Sequence, residues 1–97
     1  MNASVSGHLQ SGKYSLLDVR TAAEFNTAHL PGAIHIPIDA LQLSLSLINE
    51  LPRPIIVYCH SGFRSGLAVE FLQQQGIEGS INGGGLSQLI HFFESEK

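Results

Sequence analysis

Apolar residues in this chain come in short blocks with sharp breaks between them, and the blocks differ in period. Ser15-Leu-Leu-Asp-Val19 starts after Gly12 and Lys13 and stops at polar residues, the pattern of a buried strand. Thr21-Ala-Ala-Glu24 has capping-box spacing, in which hydroxyl and carboxylate satisfy each other's free backbone N–H groups, and predicts a short helix. Pro31-Gly32 breaks that helix, and Ala33 to Ile36 reads as a second small strand closed by Pro37, which cannot donate to a ladder. From Ala40 to Leu51 the pattern is double: Leu41, Leu43, Leu45 and Leu47 alternate, while Ile38, Leu41, Leu45 and Ile48 fit one helical face. Asp39 as N-cap and Pro52 with Pro54 as a stop favour a helix there.

Pro54-Ile-Ile-Val-Tyr58 is the most hydrophobic stretch, and its β-branched run without alternation predicts a strand buried on both faces at the centre of a sheet. Leu67, Ala68, Phe71 and Leu72 then recur at helical spacing, with Gly76 placed for a left-handed C-cap. A brief strand around Gly79 to Ile81, a turn at Asn82-Gly83-Gly84-Gly85 and a terminal amphipathic helix carrying Leu86, Leu89, Ile90 and Phe93 complete the chain. Strand and helix alternate without repeats or linkers. The expected fold class is therefore α/β: a single domain over residues 1–97, with a parallel sheet of four to five strands and helices on both faces, joined by right-handed crossovers.

Composition narrows the function classes. At 97 residues, 43% hydrophobic and only 13% charged, the chain has material for one core and too little charge for a disordered tail. Five basic against eight acidic side chains argue against nucleic acid or an anionic membrane surface as partner. No apolar run approaches the roughly 18 residues of a membrane span, and Met1 to Gln10 lacks the features of a secretory signal, so the expected location is cytoplasmic. The single cysteine, Cys59, leaves no internal disulfide and no cysteine metal cluster; it is either apolar filler or a free thiol with chemistry.

Position favours chemistry. In parallel α/β sheets ligands bind beyond the carboxyl ends of the strands, and Cys59 lies directly after the most buried strand, followed by His60-Ser61-Gly62-Phe63-Arg64 and a helix. Such a turn points successive N–H groups inward over the helix N-terminus, a field that holds anions and stabilises a thiolate. Gly62 allows the tight curl. Arg64 is the only permanently charged residue between Pro54 and Val69, has no local acid competing for it, and offers a tetrahedral anion a bidentate fork. His60 is open to two readings, an aid to the thiolate or a solvent-facing imidazole; Ser61, Phe63 and Ser65 supply loop amides, with Phe63 at the rim. Asp18 and Arg20, together with Ser65, read as structural supports behind the loop. His29 and His35 lack further donors for zinc, so no metal is expected, and Gly83 to Gly85 lacks the lysine of a phosphate-binding loop and reads as a tight turn.

Cys59 to Ser65, preceded by Ile55-Ile-Val-Tyr58, resembles the active-site loop of single-domain rhodanese (thiosulfate sulfurtransferase) proteins. Leu17-Asp-Val-Arg20 with Glu24-Phe25, His29-Leu-Pro-Gly-Ala33 and Ile36-Pro37 look like that family's amino-terminal signature, and Asn82-Gly83-Gly84-Gly85-Leu86 like its glycine-rich one. The match runs in order from about Ser15 to Leu89. Two features depart from the family: there is no tryptophan after the glycines, where Leu89 stands, and the segment before Ser15 is short, so a first edge strand is expected to be vestigial or missing.

The resemblance implies a rhodanese-like three-layer domain in which Cys59 takes a sulfur atom from thiosulfate or a related small anion as a persulfide and passes it to cyanide, a thiol or an acceptor protein, without a cofactor. With no second cysteine, the acceptor must be external. Phosphatases and arsenate reductases also combine a thiolate with an arginine, but they place five residues between the two, whereas Cys59 and Arg64 have four between them. A non-catalytic interaction module is the remaining alternative.

Overall fold

The computed structural model describes residues 3–96. Four strands, β1 (Ser15–Asp18), β2 (Ile34–His35), β3 (Ile55–Cys59) and β4 (Ser80–Gly85), form one all-parallel sheet in the order β2-β1-β3-β4. Five α-helices accompany them: α1 (Ala3–Ser11), α2 (Ala22–Thr27), α3 (Leu45–Asn49), α4 (Phe63–Gln74) and α5 (Leu86–Ser95). The expected α/β class, the parallel sheet and the central place of the Ile55-Ile-Val-Tyr58 run all hold.

Because successive side chains of a strand point to opposite faces, the sheet sorts its apolar residues into two cores. Leu17 of β1 and Ile55, Val57 and Cys59 of β3 pack with Ile48 of α3 and Ala68 and Leu72 of α4. Leu16, Ile56 and Tyr58 face the other way, against Val5 and Leu9 of α1 and Leu86 and Leu89 of α5. Two apolar faces need two covering layers, which gives the three-layer form. Every residue of β3 is wholly buried, which accounts for a sequence that does not alternate.

Three local expectations change, and the segment before Ser15, where at most a vestigial strand is expected, is helical. Before Ser15 the chain forms helix α1, which covers one face of the sheet through Val5 and Leu9; no strand precedes β1 among the described residues. Asp39 caps no long helix: Ile38–Ala40 and Gln42–Ser44 are two 3₁₀ turns, and only Leu45–Asn49 is α-helical. Only Leu41 and Ile48 of that segment are buried, while Leu43 and Leu47 are exposed, so the doubled apolar pattern lacked a single face to bury. The hydroxyl of Ser44 also donates back to the Ala40 carbonyl at 2.9 Å, competing with the regular ladder. The second strand is trimmed to Ile34–His35.

The third change lies at the glycine run. Asn82 to Gly85 is no turn; it is the end of β4, with a bulge that pairs Val57 with Asn82 and Tyr58 with Gly84. Gly83 is there for closeness, since a Cβ on it would sit 2.6 Å from Ile56 Cγ2. The bulge lets β4 bend in toward the end of β3, where Cys59 lies.

Candidate active site

Cys59 is the last residue of β3, and its side chain faces the α4 layer. The turn to α4 is short: Gly62 occupies the N-cap position with φ of 100°, a left-handed conformation that suits glycine. This conformation aims the Gly62 N–H back at the Cys59 Sγ, 3.0 Å away, and the Ser65 N–H reaches the same atom at 3.4 Å. The Ser65 hydroxyl lies 3.4 Å from the sulfur, and the Ser61 amide is a further donor to it. Burial pushes the thiol up, but the Ser65 hydroxyl and the amides of Ser65, Gly62 and Ser61 outweigh it, and the sulfur is held below the ordinary thiol value. Donors of this kind, fixed at a helix N-terminus, suit a sulfur carrying negative charge.

Of the six positions from Cys59 to Arg64, Ser61 and Gly62 turn their amides to the sulfur. The His60 and Ser61 side chains are exposed, and Phe63 is 73% exposed, at the rim. Ser65, read from sequence as a support, is wholly buried and touches the sulfur directly.

Arg64 needs correction. It belongs to the first turn of α4, and it does have an acid competing for it: both guanidinium arms go to Glu24 of α2, Nη1 to Oε1 at 2.7 Å and Nη2 to Oε2 at 2.9 Å. The Arg64 pairing, aided by the Thr21 N–H, holds the Glu24 carboxyl well below the usual carboxylate range. Glu24 sits 40 residues upstream, so a local count of charges missed it. Its signal was the capping box itself, which is present and fixes the carboxylate on α2.

Asp18 and Arg20 are brought to each other and do not touch the sulfur. Arg20 donates to the Asp18 carboxylate through Nε and through Nη2 at 2.7 Å, and Nη2 also reaches the Ala28 carbonyl at 2.6 Å. Burial pushes the Asp18 carboxyl up, but hydrogen bonds from the Arg20 side chain, the Arg20 N–H and the Tyr58 hydroxyl bring it below its ordinary value. The Tyr58 hydroxyl accepts the Leu30 N–H at 3.2 Å, and burial first, then Asp18, raises its pKa. This network ties the chain after α2 to the carboxyl ends of β1 and β3. His29 and His35 lie either side of the Phe25 ring, stacked at centroid distances of 3.7 and 4.4 Å.

Sequence reasoning also missed Asn82. From β4 its Oδ1 accepts the Ser65 hydroxyl at 2.7 Å and the Gly84 N–H at 2.9 Å, while its Nδ2 donates to the Gly62 carbonyl at 3.0 Å. Its place before three glycines was the available signal, but that run read as a turn.

Fold and loop together define a class: small three-layer α/β domains with a cysteine where the central parallel strand turns into a helix. Comparison with known proteins makes this specific. The family model for the rhodanese-like domain matches residues 1–90, and the chain belongs to that family. It is 38% identical over 68 residues to the "Putative sulfur carrier protein YrkF" of Bacillus subtilis (strain 168), covering 70% of this chain and 36% of that protein. It is 36% identical over 67 residues to a "Sulfurtransferase" of Allochromatium vinosum, covering 69% of this chain and 62% of that one. The matches therefore span only part of these relatives' own lengths. Among solved structures, a rhodanese-related protein from Thermoplasma volcanium is 30% identical with a TM-score of 0.75, covering 89% of this chain and 87% of the other. No helix among the described residues is long and apolar enough to cross a membrane.

Proposed function

We propose that the protein is a sulfurtransferase that moves a sulfane sulfur from thiosulfate or a related small anion to a thiophilic acceptor through a persulfide on Cys59. The observation that carries this reading is the Gly62 N–H aimed at Cys59 Sγ at 3.0 Å, with the Ser65 N–H and hydroxyl beside it. A thiolate is the proper nucleophile for divalent sulfur. In the first step the Cys59 thiolate attacks the outer sulfur of thiosulfate; an S–S bond forms to Cys59, the donor's S–S bond breaks, and its electron pair leaves with sulfite. In the second step an external thiolate or cyanide attacks the outer sulfur of the persulfide, and the Cys59 thiolate is regenerated. No net oxidant, reductant or cofactor enters, and the amides that stabilise the thiolate serve the anionic persulfide equally. The two half-reactions make turnover ping-pong.

Cys59 is wholly buried, so a donor reaches it from the exposed side of the cradle, between His60, Ser61 and Phe63. Arg64 faces Glu24, and it serves a donor anion by exchanging or sharing that partner. Intact mass spectrometry after exposure to thiosulfate tests the reading. A gain of one sulfur atom, reversed by dithiothreitol and absent in Cys59→Ser, is expected. An unmodified wild-type protein would instead favour a domain that binds a partner without turnover, with Phe63 and the 47%-exposed Leu67 as the apolar residues nearest the cradle.

A further inference from the structure

One of the short hydrogen bonds beside the cradle does not involve the sulfur. It joins Ser65 Oγ to Asn82 Oδ1 at 2.7 Å, across the gap between α4 and β4. The other end of the same amide donates to the Gly62 carbonyl at 3.0 Å. Gly62 and Ser65 are the residues whose N–H groups lie at 3.0 and 3.4 Å from Cys59 Sγ. One side chain on a neighbouring strand therefore grips two of the residues that donate to the sulfur. We infer that Asn82 is the positioning residue of the thiol cradle, fixing the Gly62 peptide through Nδ2 and the Ser65 hydroxyl through Oδ1.

Several features support this role over a merely local one. Asn82 is itself held, because its Oδ1 also accepts the Gly84 N–H at 2.9 Å, closing a small loop over the β4 bulge. The fit is tight on the α4 side: a Cβ on Gly66 would lie 3.2 Å from Asn82 Nδ2, and one on Gly62 would lie 3.3 Å from Gly84 Cα. An amide gives a donor and an acceptor on separate atoms without adding charge. A carboxylate would turn an oxygen toward the Gly62 carbonyl and place a negative charge beside the sulfur. Asn82 is exposed to solvent where it reaches α4, so its truncation leaves no core cavity.

Ser65 has one hydroxyl proton and two acceptors in reach, Asn82 Oδ1 and the sulfur. With a neutral thiol the chain runs from the Cys59 S–H to Ser65 Oγ and from the Ser65 O–H to Asn82. When the sulfur ionises, the hydroxyl turns to it and leaves Asn82 Oδ1, so the Oδ1 arm favours the neutral thiol while the Nδ2 arm, through the Gly62 peptide, favours the thiolate. Asn82 thus acts on the sulfur through two arms, and each arm can be tested separately.

The test is the midpoint of Cys59 ionisation in the reduced full chain, read from the pH dependence of alkylation and from thiolate absorbance. It is measured in the wild type, Ser65→Ala, Asn82→Ala and the double variant. On the Ser65→Ala background only the Gly62 arm remains; there, Asn82→Ala is expected to raise the midpoint by about one unit, or about tenfold less thiolate at a fixed pH below it. The two single effects are also expected not to sum, because both touch the Ser65 hydroxyl. An unchanged midpoint on the Ser65→Ala background, or strict additivity, overturns the inference, as does a lowered melting temperature with the midpoint unmoved there. Asn82→Leu, close in size, repeats the measurement if Asn82→Ala fails to fold. The inference rests on the proposed function only for which atom is reactive. Sulfur uptake from thiosulfate is scored separately in the wild type, so a protein that takes up no sulfur but shifts its midpoint in Asn82→Ala sinks the sulfurtransferase reading and sustains the positioning role.

Discussion

Arg64 and Glu24 meet fork to fork between α4 and α2, with both nitrogen-to-oxygen distances below 3 Å: 2.7 and 2.9 Å. Each side chain is about one-third exposed, at 31% and 32%, so the pair is worth no more than about 1 kcal/mol to the fold. Its greater effect is on availability, since a guanidinium committed to a carboxylate must be won over by any incoming anion.

Arg64→Lys tests that role. A lysine keeps the charge but loses the planar fork. Folding should be preserved, while the rate of sulfur uptake from thiosulfate falls about tenfold or more, the scale of one charge-assisted hydrogen bond. Unchanged donor kinetics would remove Arg64 from the donor site.

Glu24→Gln isolates the same pair from the other side, because glutamine retains the helix cap to Thr21. The folded carboxyl is held below its ordinary value by Arg64. The stabilisation is therefore full above the unfolded value of about 4.3 and is lost as pH falls below it toward the folded one. The gap in thermal stability between wild type and Glu24→Gln should be small and constant near neutrality and should close on acidification. A gap that widened in acid would contradict the sign.

Much of this fold could be read directly because buried parallel strands and capped helices write simple patterns. β3 is an unbroken apolar run, and the Thr21–Glu24 box is present atom for atom. What escaped was of two kinds. The segment from Ile38 to Asn49 carries competing periods and resolves into two 3₁₀ turns and the short helix α3, a choice made by packing on Leu41 and Ile48. Glu24 and Asn82 join the site only through folding, at separations of 40 and 17 residues from their partners Arg64 and Ser65, and no local window holds such pairs. The cysteine and its turn were legible because strand, sulfur, glycine and helix are contiguous.

Asp18→Asn should be among the most damaging single changes. Asp18 is wholly buried and Arg20 is 4% exposed, so removing the charge strands a buried guanidinium. Breaking such pairs costs about 3–5 kcal/mol, a large share of the roughly 5–15 kcal/mol of a small domain. Urea denaturation should show a midpoint reduced by a third or more, or no folded baseline at all. A near-native midpoint would mean that the pair contributes little.

Gly83→Ala isolates the bulge. The added methyl would lie 2.6 Å from Ile56 Cγ2, inside a wholly buried strand. Overpacking of this kind costs about 1–3 kcal/mol. Urea denaturation should register the loss, and because the bulge carries Asn82 and Gly84, the ionisation midpoint of Cys59 should rise as well. Gly7→Ala, inside α1 where an added Cβ meets nothing within 4 Å, serves as the contrasting control and should stabilise by up to about 1 kcal/mol without moving the Cys59 midpoint.

Sheet parity ties the chemistry to the core. Ile55, Val57 and Cys59 point to the α4 side of β3, and Ile56 and Tyr58 to the other. Adding or deleting one residue within the strand would send the sulfur through the sheet to the α1 and α5 side, leaving the amides of the turn with nothing to hold. The placing of the sulfur is set by an odd-numbered count along five buried residues, so a frame of ordinary hydrocarbon packing decides whether the thiol meets its donors.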